Sequence, residues 1–500
     1  MDYIVVQAGG KGTRLGYLTQ NKPKALLPVE NLPLIFHLIK KYPDKKFIVV
    51  GDYLKDVLRE YLNVFADVKY IMVDAVGNGT CSGVKQALRM LPNNEPFMFI
   101  WSDLILPNEF SLPNDYLESN AENNYIGISE TFPCRWSFSD NEIKEEVSTQ
   151  NGIAGFFLFK NKSVISDVPE SGEFVRYLKA KNIKFSTVGL AGTREFGLIE
   201  EYNKLQSEKC RPFNKITVKD NTLVKEYVDE QGKALAKKEV AWYNKIIEKD
   251  IAIIPKIYKT EPLTMEYIKG KNIYECDLSY IEKKEILKKI VDALKKLHNL
   301  EKINADYFSI KEAYFYKTMR RISSVRDLIP FSEQRKIVIN GKECRNVYFY
   351  KRELEKKLDS LKSENFYFIH GDCTFSNIML KDNGEPVLID PRGYFGYTQF
   401  YGDERYDWAK LYYSIIGNYD RFNLKNFRLN ITDENIQLKV KSNNWEDLEK
   451  DFFEMTSVNE YEIKLIHAII WLSLTTYAWQ DYDSICGAFY NGLYYLEDVL

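Results

Sequence analysis

Over roughly its first two hundred residues the chain alternates short apolar runs with amphipathic helical patterns, and the alternation stops near Gln206. Residues 3–7, 47–50, 69–73 and 97–101 read as strands, and residues 34–41, 54–62 and 82–90 as helices. Strands separated by helices cannot pair through tight hairpins. This rhythm predicts a largely parallel sheet with helices on both faces, three layers in all, and ligands at the carboxyl ends of the strands. A polar stretch at 207–214 then breaks the pattern. Beyond it, residues 215–219 and 223–228 predict a hairpin turning at Asp220-Asn221, followed by a charged helix over 232–248 and a strand pair ending at Ile268. From Ile281 onward long helical segments dominate, interrupted near His370–Asp390. The expected division is therefore a first domain at 1–205, a linker at 206–214, a small β-rich lobe at 215–270 and a large helical lobe at 271–500.

Charge and cysteine usage narrow the class. Sixty-nine Lys+Arg against 71 Asp+Glu leave a formal charge of -2, which gives no global electrostatic case for a nucleic-acid partner. Seven cysteines stand singly with no CxxC pair, against a disulfide framework or zinc site and for a reducing cytoplasm. No apolar run approaches the ~20 residues that span a bilayer, and the first strand begins at once rather than after a leader. A cytoplasmic enzyme without membrane insertion is expected, and the sequence is compatible with a homo-oligomer.

The first chemical constellation is Gln7-Ala8-Gly9-Gly10-Lys11-Gly12-Thr13-Arg14-Leu15, followed by Lys22-Pro23-Lys24. Gly9, Gly10 and Gly12 let the backbone approach a triphosphate with its amides toward the oxygens. Arg14 can neutralise the phosphates that leave as pyrophosphate, and Lys24 can hold the α-phosphate or an acceptor phosphate. This segment resembles the signature of the sugar-phosphate and phosphocholine nucleotidyltransferases, a Rossmann-like α/β fold. The resemblance assigns Ala8, Gly9, Gly10, Gly12 and Thr13 to the nucleotide and extends to Gly77-Asn-Gly79-Thr80-Cys-Ser-Gly83, similar to the family's base-reading loop. It also implies that Asp103, in Trp101-Ser-Asp at a strand end, holds Mg²⁺, which would offset the repulsion between two phosphates. Glu195, in 193–202, is the candidate second metal carboxylate, although the family more often has Asp there. Residues 171–174 resemble the acceptor-side region of phosphocholine cytidylyltransferases.

The second constellation is His370-Gly371-Asp372-Cys-Thr-Phe-Ser-Asn377, then Ile389-Asp390-Pro-Arg392. It resembles the catalytic loop of the aminoglycoside phosphotransferase and choline kinase family, whose α+β bilobal fold is protein kinase-like. The resemblance implies that Asp372 orients or deprotonates the acceptor hydroxyl, that Asn377 and Asp390 hold Mg²⁺ on ATP, and that His370 braces the loop. Lys225, on a strand, is the expected phosphate lysine, and Glu239, on the next helix, its partner. Residues 263–268, with Glu266 and Ile268, match the hinge that holds adenine. His298 reads as structural and Asp407 as a brace of the catalytic loop. The first hairpin lacks a GxGxxG loop.

The last helices carry Trp471, Tyr477, Trp479 and Tyr482, with Trp471 and Tyr482 predicted on one helical face. In choline kinase-like proteins aromatics from this region enclose a quaternary ammonium through cation–π attraction. A sugar or polyol pocket would instead use residues such as Arg392 and Asp403. The order of the domains suggests consecutive steps: ATP phosphorylates a small alcohol, and an NTP then activates the phosphoalcohol, releasing pyrophosphate. The nearest precedent is choline kinase fused to CTP:phosphocholine cytidylyltransferase, serving surface polysaccharide or lipid decoration. The alternatives are a sugar kinase fused to a sugar-1-phosphate nucleotidyltransferase for capsule precursors, or one active domain beside a regulatory one. The expected partners are a small alcohol or sugar and its phosphate, with ATP, CTP or another NTP, and Mg²⁺ at both sites.

Overall fold

In the first unit, strand β1 (Tyr3–Gln7) is an apolar run whose inner residues are buried on both faces, as a central parallel strand requires. The computed structural model describes residues 1–118, 121–197, 202, 214–227, 230–247, 249 and 253–500. The linker expected at 206–214 lies outside the described residues except for Asn214. The chain divides into two compact units, Met1–Glu208 with Gln480–Tyr482, and Lys209–Trp479 with Asp483–Leu500.

From β1 the first unit runs through α1 (Leu34–Lys41), β2 (Lys46–Gly51), α2 (Lys55–Phe65), β3 (Lys69–Asp74), α3 (Val84–Met90) and β4 (Phe97–Trp101). β2 and β4 flank β1 in parallel, and β3 adds outside β2. Gln7 pairs with both Val50 and Trp101, so the three carboxyl ends finish level. The chain goes one way from β1 to build β2 and β3, then crosses back to place β4. β1 is thus the switch point, where a crevice opens at the strand ends. β5 (Tyr125–Ser129), β6 (Gly152–Phe159) and β7 (Ser186–Gly189) extend the sheet through antiparallel β4–β6 and β6–β5 pairs and a parallel β5–β7 pair. The sheet has nine strands in all and is mixed, with a parallel centre. Val5, Ile48, Phe99 and Phe157 from its strands pack with Phe174 and Leu178 of α4 (Phe174–Lys181) in one core.

The second unit opens with the hairpin β8 (Asn214–Lys219) and β9 (Thr222–Tyr227), whose turn residues Asp220 and Asn221 both take positive φ, as a two-residue hairpin turn needs. α5 (Glu230–Ile247) follows, then β10 (Ile257–Thr260) and β11 (Leu263–Glu266), which complete a four-stranded sheet. Next come α6 (Tyr280–His298), with a Ser279/Glu282 capping box, and α7 (Lys317–Ser324). The large lobe is less purely helical than expected. β12 (Lys336–Ile339), β13 (Lys342–Arg345), β14 (Phe427–Ile431) and β15 (Ile436–Val440) form a further four-stranded sheet within it. α8 (Glu404–Ile415), α9 (Glu460–Leu474) and α10 (Tyr482–Leu496) complete the lobe.

Candidate active sites

In the first unit the loop after β1 carries Ala8, Gly9, Gly10, Gly12 and Thr13 at the switch point. The Ala8 amide is tied to Val50 O at 3.0 Å, and Gly12 turns at φ 65, a conformation that side chains resist. The turn brings Arg14 and Lys24 back over the strand ends. Lys24 Nζ is paired with Asp103. Glu195 bridges to Leu104 across a short antiparallel pair, which sets it beside Asp103, and Arg14 and Glu195 both flank Gly197. Burial, then the Asp103 charge, pushes the Glu195 carboxyl above its ordinary range. Asp103 Oδ1 is buried with no hydrogen-bond partner among the described residues. Two neighbouring carboxylates with an unsatisfied oxygen, countered by a lysine and an arginine, suit a divalent ion bound to a polyphosphate. Residues 198–201 of the stretch containing Glu195 lie outside the described residues.

Gln7, at the end of β1, had no role assigned from the sequence. Its amide donates to Thr80 O (2.9 Å) and Ser82 O (3.1 Å), holding the loop of Gly79, Thr80 and Gly83 over the crevice. That loop is itself bolted to residues 170–174. Cys81 N donates to Gly172 O at 3.0 Å, Gly172 N to Asn78 O at 2.8 Å, and Phe174 N to Thr80 Oγ1 at 2.7 Å. The 171–174 stretch therefore braces the loop expected to read the base.

In the second unit Lys225 Nζ reaches Glu239 Oε2 and Asp390 Oδ1, each at 2.8 Å, tying β9, α5 and the loop after the catalytic segment together. Burial pulls the Lys225 ammonium down, but Asp390 and Glu239 outweigh it and hold it above its ordinary value. Asn377 Nδ2 donates to Asp372 Oδ2 (3.1 Å), while its Oδ1 is buried and unpartnered among the described residues, an oxygen suited to a metal. The loop is anchored from below by Asp407, which accepts from the amides of His370 (2.9 Å) and Gly371 (2.7 Å). His298 Nε2 lies 3.1 Å from the same carboxylate. Of the expected hinge residues, Ile268 is buried and Glu266 accepts from Lys256 N at 3.2 Å.

Beside Asp372 opens a cavity lined by Lys317, Arg321, Arg392 and Lys410, with Tyr314, Tyr394, Tyr406, Tyr413, Tyr419 and Tyr477 among its walls. Lys410 Nζ and Arg392 Nε take one Asp372 oxygen each, at 3.0 and 3.2 Å. Of the expected aromatic cage only Tyr477 reaches the cavity. Trp471 is fully buried one layer behind Tyr413, edge-on to it and to Phe422, and donates to His467 Nε2 at 3.0 Å. α9 ends at Leu474 and α10 starts at Tyr482, so the supposed common face of Trp471 and Tyr482 is broken. Tyr482 is buried, and neither it nor Trp479 lines the cavity. Asp403 is also structural: it caps α8, grips Arg405 and accepts from Tyr314 Oη at 3.1 Å. Of the residues put forward for the acceptor, Arg392 and Tyr477 are at the wall. Sequence reasoning missed Lys317, Arg321 and Lys410. Lys410 had a signal, three residues after Asp407 on one helix face.

Residues 4–113 match the MobA-like NTP transferase domain, and residues 230–426 the phosphotransferase enzyme family. The bifunctional protein GlmU of Methanococcus maripaludis is 29% identical over 32% of this chain, which spans only 40% of that relative's length. The N-acetylmuramate α-1-phosphate uridylyltransferase of Neisseria meningitidis is 27% identical over 30% of this chain and 70% of its own. Among solved structures, the CTP:phosphocholine cytidylyltransferase LicC of Streptococcus pneumoniae aligns with 41% of this chain and 99% of its own at 22% identity, TM-score 0.32. Among the described residues no helix is long and apolar enough to cross a membrane. The chain joins a MobA-like NTP transferase domain to a domain of the phosphotransferase enzyme family, both families of enzymes.

Proposed function

We propose that the chain is a bifunctional enzyme that phosphorylates a small alcohol with ATP and then couples the phosphate to an NTP, releasing pyrophosphate. The observation that carries this reading is that each unit gathers its own set of phosphate-handling groups. These are Arg14, Lys24, Asp103 and Glu195 in one, and Lys225, Asp372, Asn377 and Asp390 in the other. Asp372 takes the proton of the attacking hydroxyl while Lys225 holds the nucleotide phosphates. In the transferase unit Arg14 faces the departing pyrophosphate and Lys24 the phosphate under attack. Mg²⁺, held by Asp103 with Glu195 and by Asn377 with Asp390, would offset phosphate charge at the two centres. No cluster of three or more His, Cys, Asp or Glu is placed to hold a metal among the described residues. The remaining ligands would be phosphate oxygens and water.

For the acceptor, a sugar or polyol is favoured over a quaternary ammonium. Of the four cage aromatics only Tyr477 lines the cavity, and its ring already lies under the Arg392 guanidinium at 5.2 Å. Lys317, Arg321, Arg392 and Lys410 also line it, and a fixed positive ligand would be repelled by them. A relative named for a sugar 1-phosphate supports the same choice. The test is product mass analysis with ATP, each of five NTPs and a panel of alcohols. Asp372→Asn should abolish alcohol phosphorylation by at least a hundredfold while sparing pyrophosphate release from a supplied phosphoalcohol. Asp103→Asn should do the reverse. Loss of both activities in either folded variant would refute the assignment of separate sites.

A further inference from the structure

The cavity beside Asp372 contains more positive charge than phosphorylating a neutral alcohol explains. Arg392 and Lys410 are both engaged by Asp372. Lys317 and Arg321 are not. They stand one turn apart on α7, on the same face, where like charges repel. Arg321 Nη1 donates to Ser473 O at 2.6 Å and to Ser473 Oγ at 3.1 Å, which fixes its guanidinium in the wall without neutralising it. Lys317 makes no hydrogen bond or ion pair among the described residues. The charges that act on it most strongly are those of Arg321, Lys410 and Arg392, against a weaker pull from Glu312, and its ammonium lies 5.9 Å from the centre of the Tyr406 ring. Glu312 is itself held by Arg320 (3.2 Å) and Tyr397 (3.3 Å). Half-buried cations that no carboxylate answers cost stability, and the Ser473 bonds, which tie α7 to the end of α9, leave the charge of Arg321 as unanswered as that of Lys317.

We propose that the acceptor carries, besides the hydroxyl that is phosphorylated, a fixed anionic group, a carboxylate or a phosphate, seated on Lys317 and Arg321. The inference rests on the kinase reading of this unit. The acceptor oxygen forms its bond to the γ-phosphorus as the bond to ADP breaks, and the hydroxyl proton passes to Asp372. Lys317 and Arg321 touch only the far end of the substrate and fix its position. The electrostatics agree. Burial, then the charges of Arg321, Lys410 and Arg392, push the Lys317 ammonium down to about 7. An anion in the cavity would restore it. A charge-assisted bond to each residue then replaces repulsion by attraction.

The test is ATP turnover by the full chain with glucose, glucuronate, glucose 6-phosphate, N-acetylglucosamine, N-acetylmuramate and choline. An anionic member should exceed its neutral counterpart at least tenfold in kcat/KM, and whether carboxylate or phosphate wins identifies the source of the charge. Lys317→Met and Arg321→Met should each raise KM for that substrate about tenfold or more with the KM for ATP unchanged. Lys317→Met should melt no lower than the parent chain, since it relieves a repulsion. Independently of any acceptor, sulfate binding is measured by calorimetry with the nucleotide site filled by a non-hydrolysable ATP analogue. It should weaken in both variants. Preference for choline or a neutral sugar, or unchanged sulfate affinity in the variants, overturns the anion site. Sulfate binding that depends on Lys317, without ATP consumption by any alcohol, would instead overturn the kinase reading and leave the anion site standing.

Discussion

Asp407 is fully buried yet accepts two backbone amides and faces His298, so its charge is matched on every side. Burial pushes its carboxyl up, but His298 and the His370 amide outweigh this and hold it below its ordinary range. Burial pulls His298 down, but Asp407 and Glu404 outweigh it and raise it above its ordinary value of 6.5. The two signs differ. A raised histidine contributes stability fully present below 6.5 and lost as pH climbs through its folded value, whereas the depressed carboxylate contributes above its ordinary range and loses it only in acid. Chemical denaturation of the chain should therefore show the second unit weakening as pH rises from 6.5, a slope that His298→Gln lacks. Asp407→Asn should cost about 3–5 kcal/mol, because removing one member of a buried pair strands the other. It should lower kcat for alcohol phosphorylation while pyrophosphate release by the first unit is unchanged.

Elements that only pair or pack with near neighbours were legible. α1 occupies Leu34–Lys41 as its periodicity requires, and Asp220-Asn221 turns the β8–β9 hairpin. The β12–β13 hairpin was missed although Asn340-Gly341, both at positive φ, is a strong turn signal. Its strands are only four residues each and sit among helical patterns. Trp471 shows a second limit: helical spacing is the same for a core stripe and for a ligand cage, and only tertiary packing separates them. Lys317 and Arg321 failed for the opposite reason, since a charged pair on a helix reads as a solvated face. The bolting of residues 77–83 to 170–174 joins segments some ninety residues apart, which no local pattern records. It predicts that Gly79→Ala will be severe. Gly79 has φ 83, and a Cβ there would lie 2.4 Å from Gly172 O. Strain and overpacking of about 1–3 kcal/mol should unseat the loop. KM for the NTP should rise several-fold in pyrophosphate-release assays, with alcohol phosphorylation untouched.

At the scale of the whole molecule, the catalytic residues divide cleanly. Those assigned to nucleotidyl transfer fall between Gln7 and Glu195, and those assigned to phosphorylation, together with the acceptor cavity, between Lys225 and Tyr477. Among the described residues each set belongs to one unit. If each site is self-sufficient, the phosphorylated alcohol made at one can be used by any chain's transferase site. Mixing equal amounts of Asp372→Asn and Asp103→Asn proteins with ATP, NTP and alcohol should then restore the activated product, although neither variant forms it alone. The time course should begin with a lag while free phosphoalcohol accumulates toward the transferase KM. That lag should shorten in proportion as total protein is raised, because production of the intermediate scales with kinase concentration. The parent chain at equal site concentration should show the same lag. A parent chain that forms product without delay, beside a mixture that lags, would mean that the intermediate passes between the units without release, and the picture of two independent sites would fail.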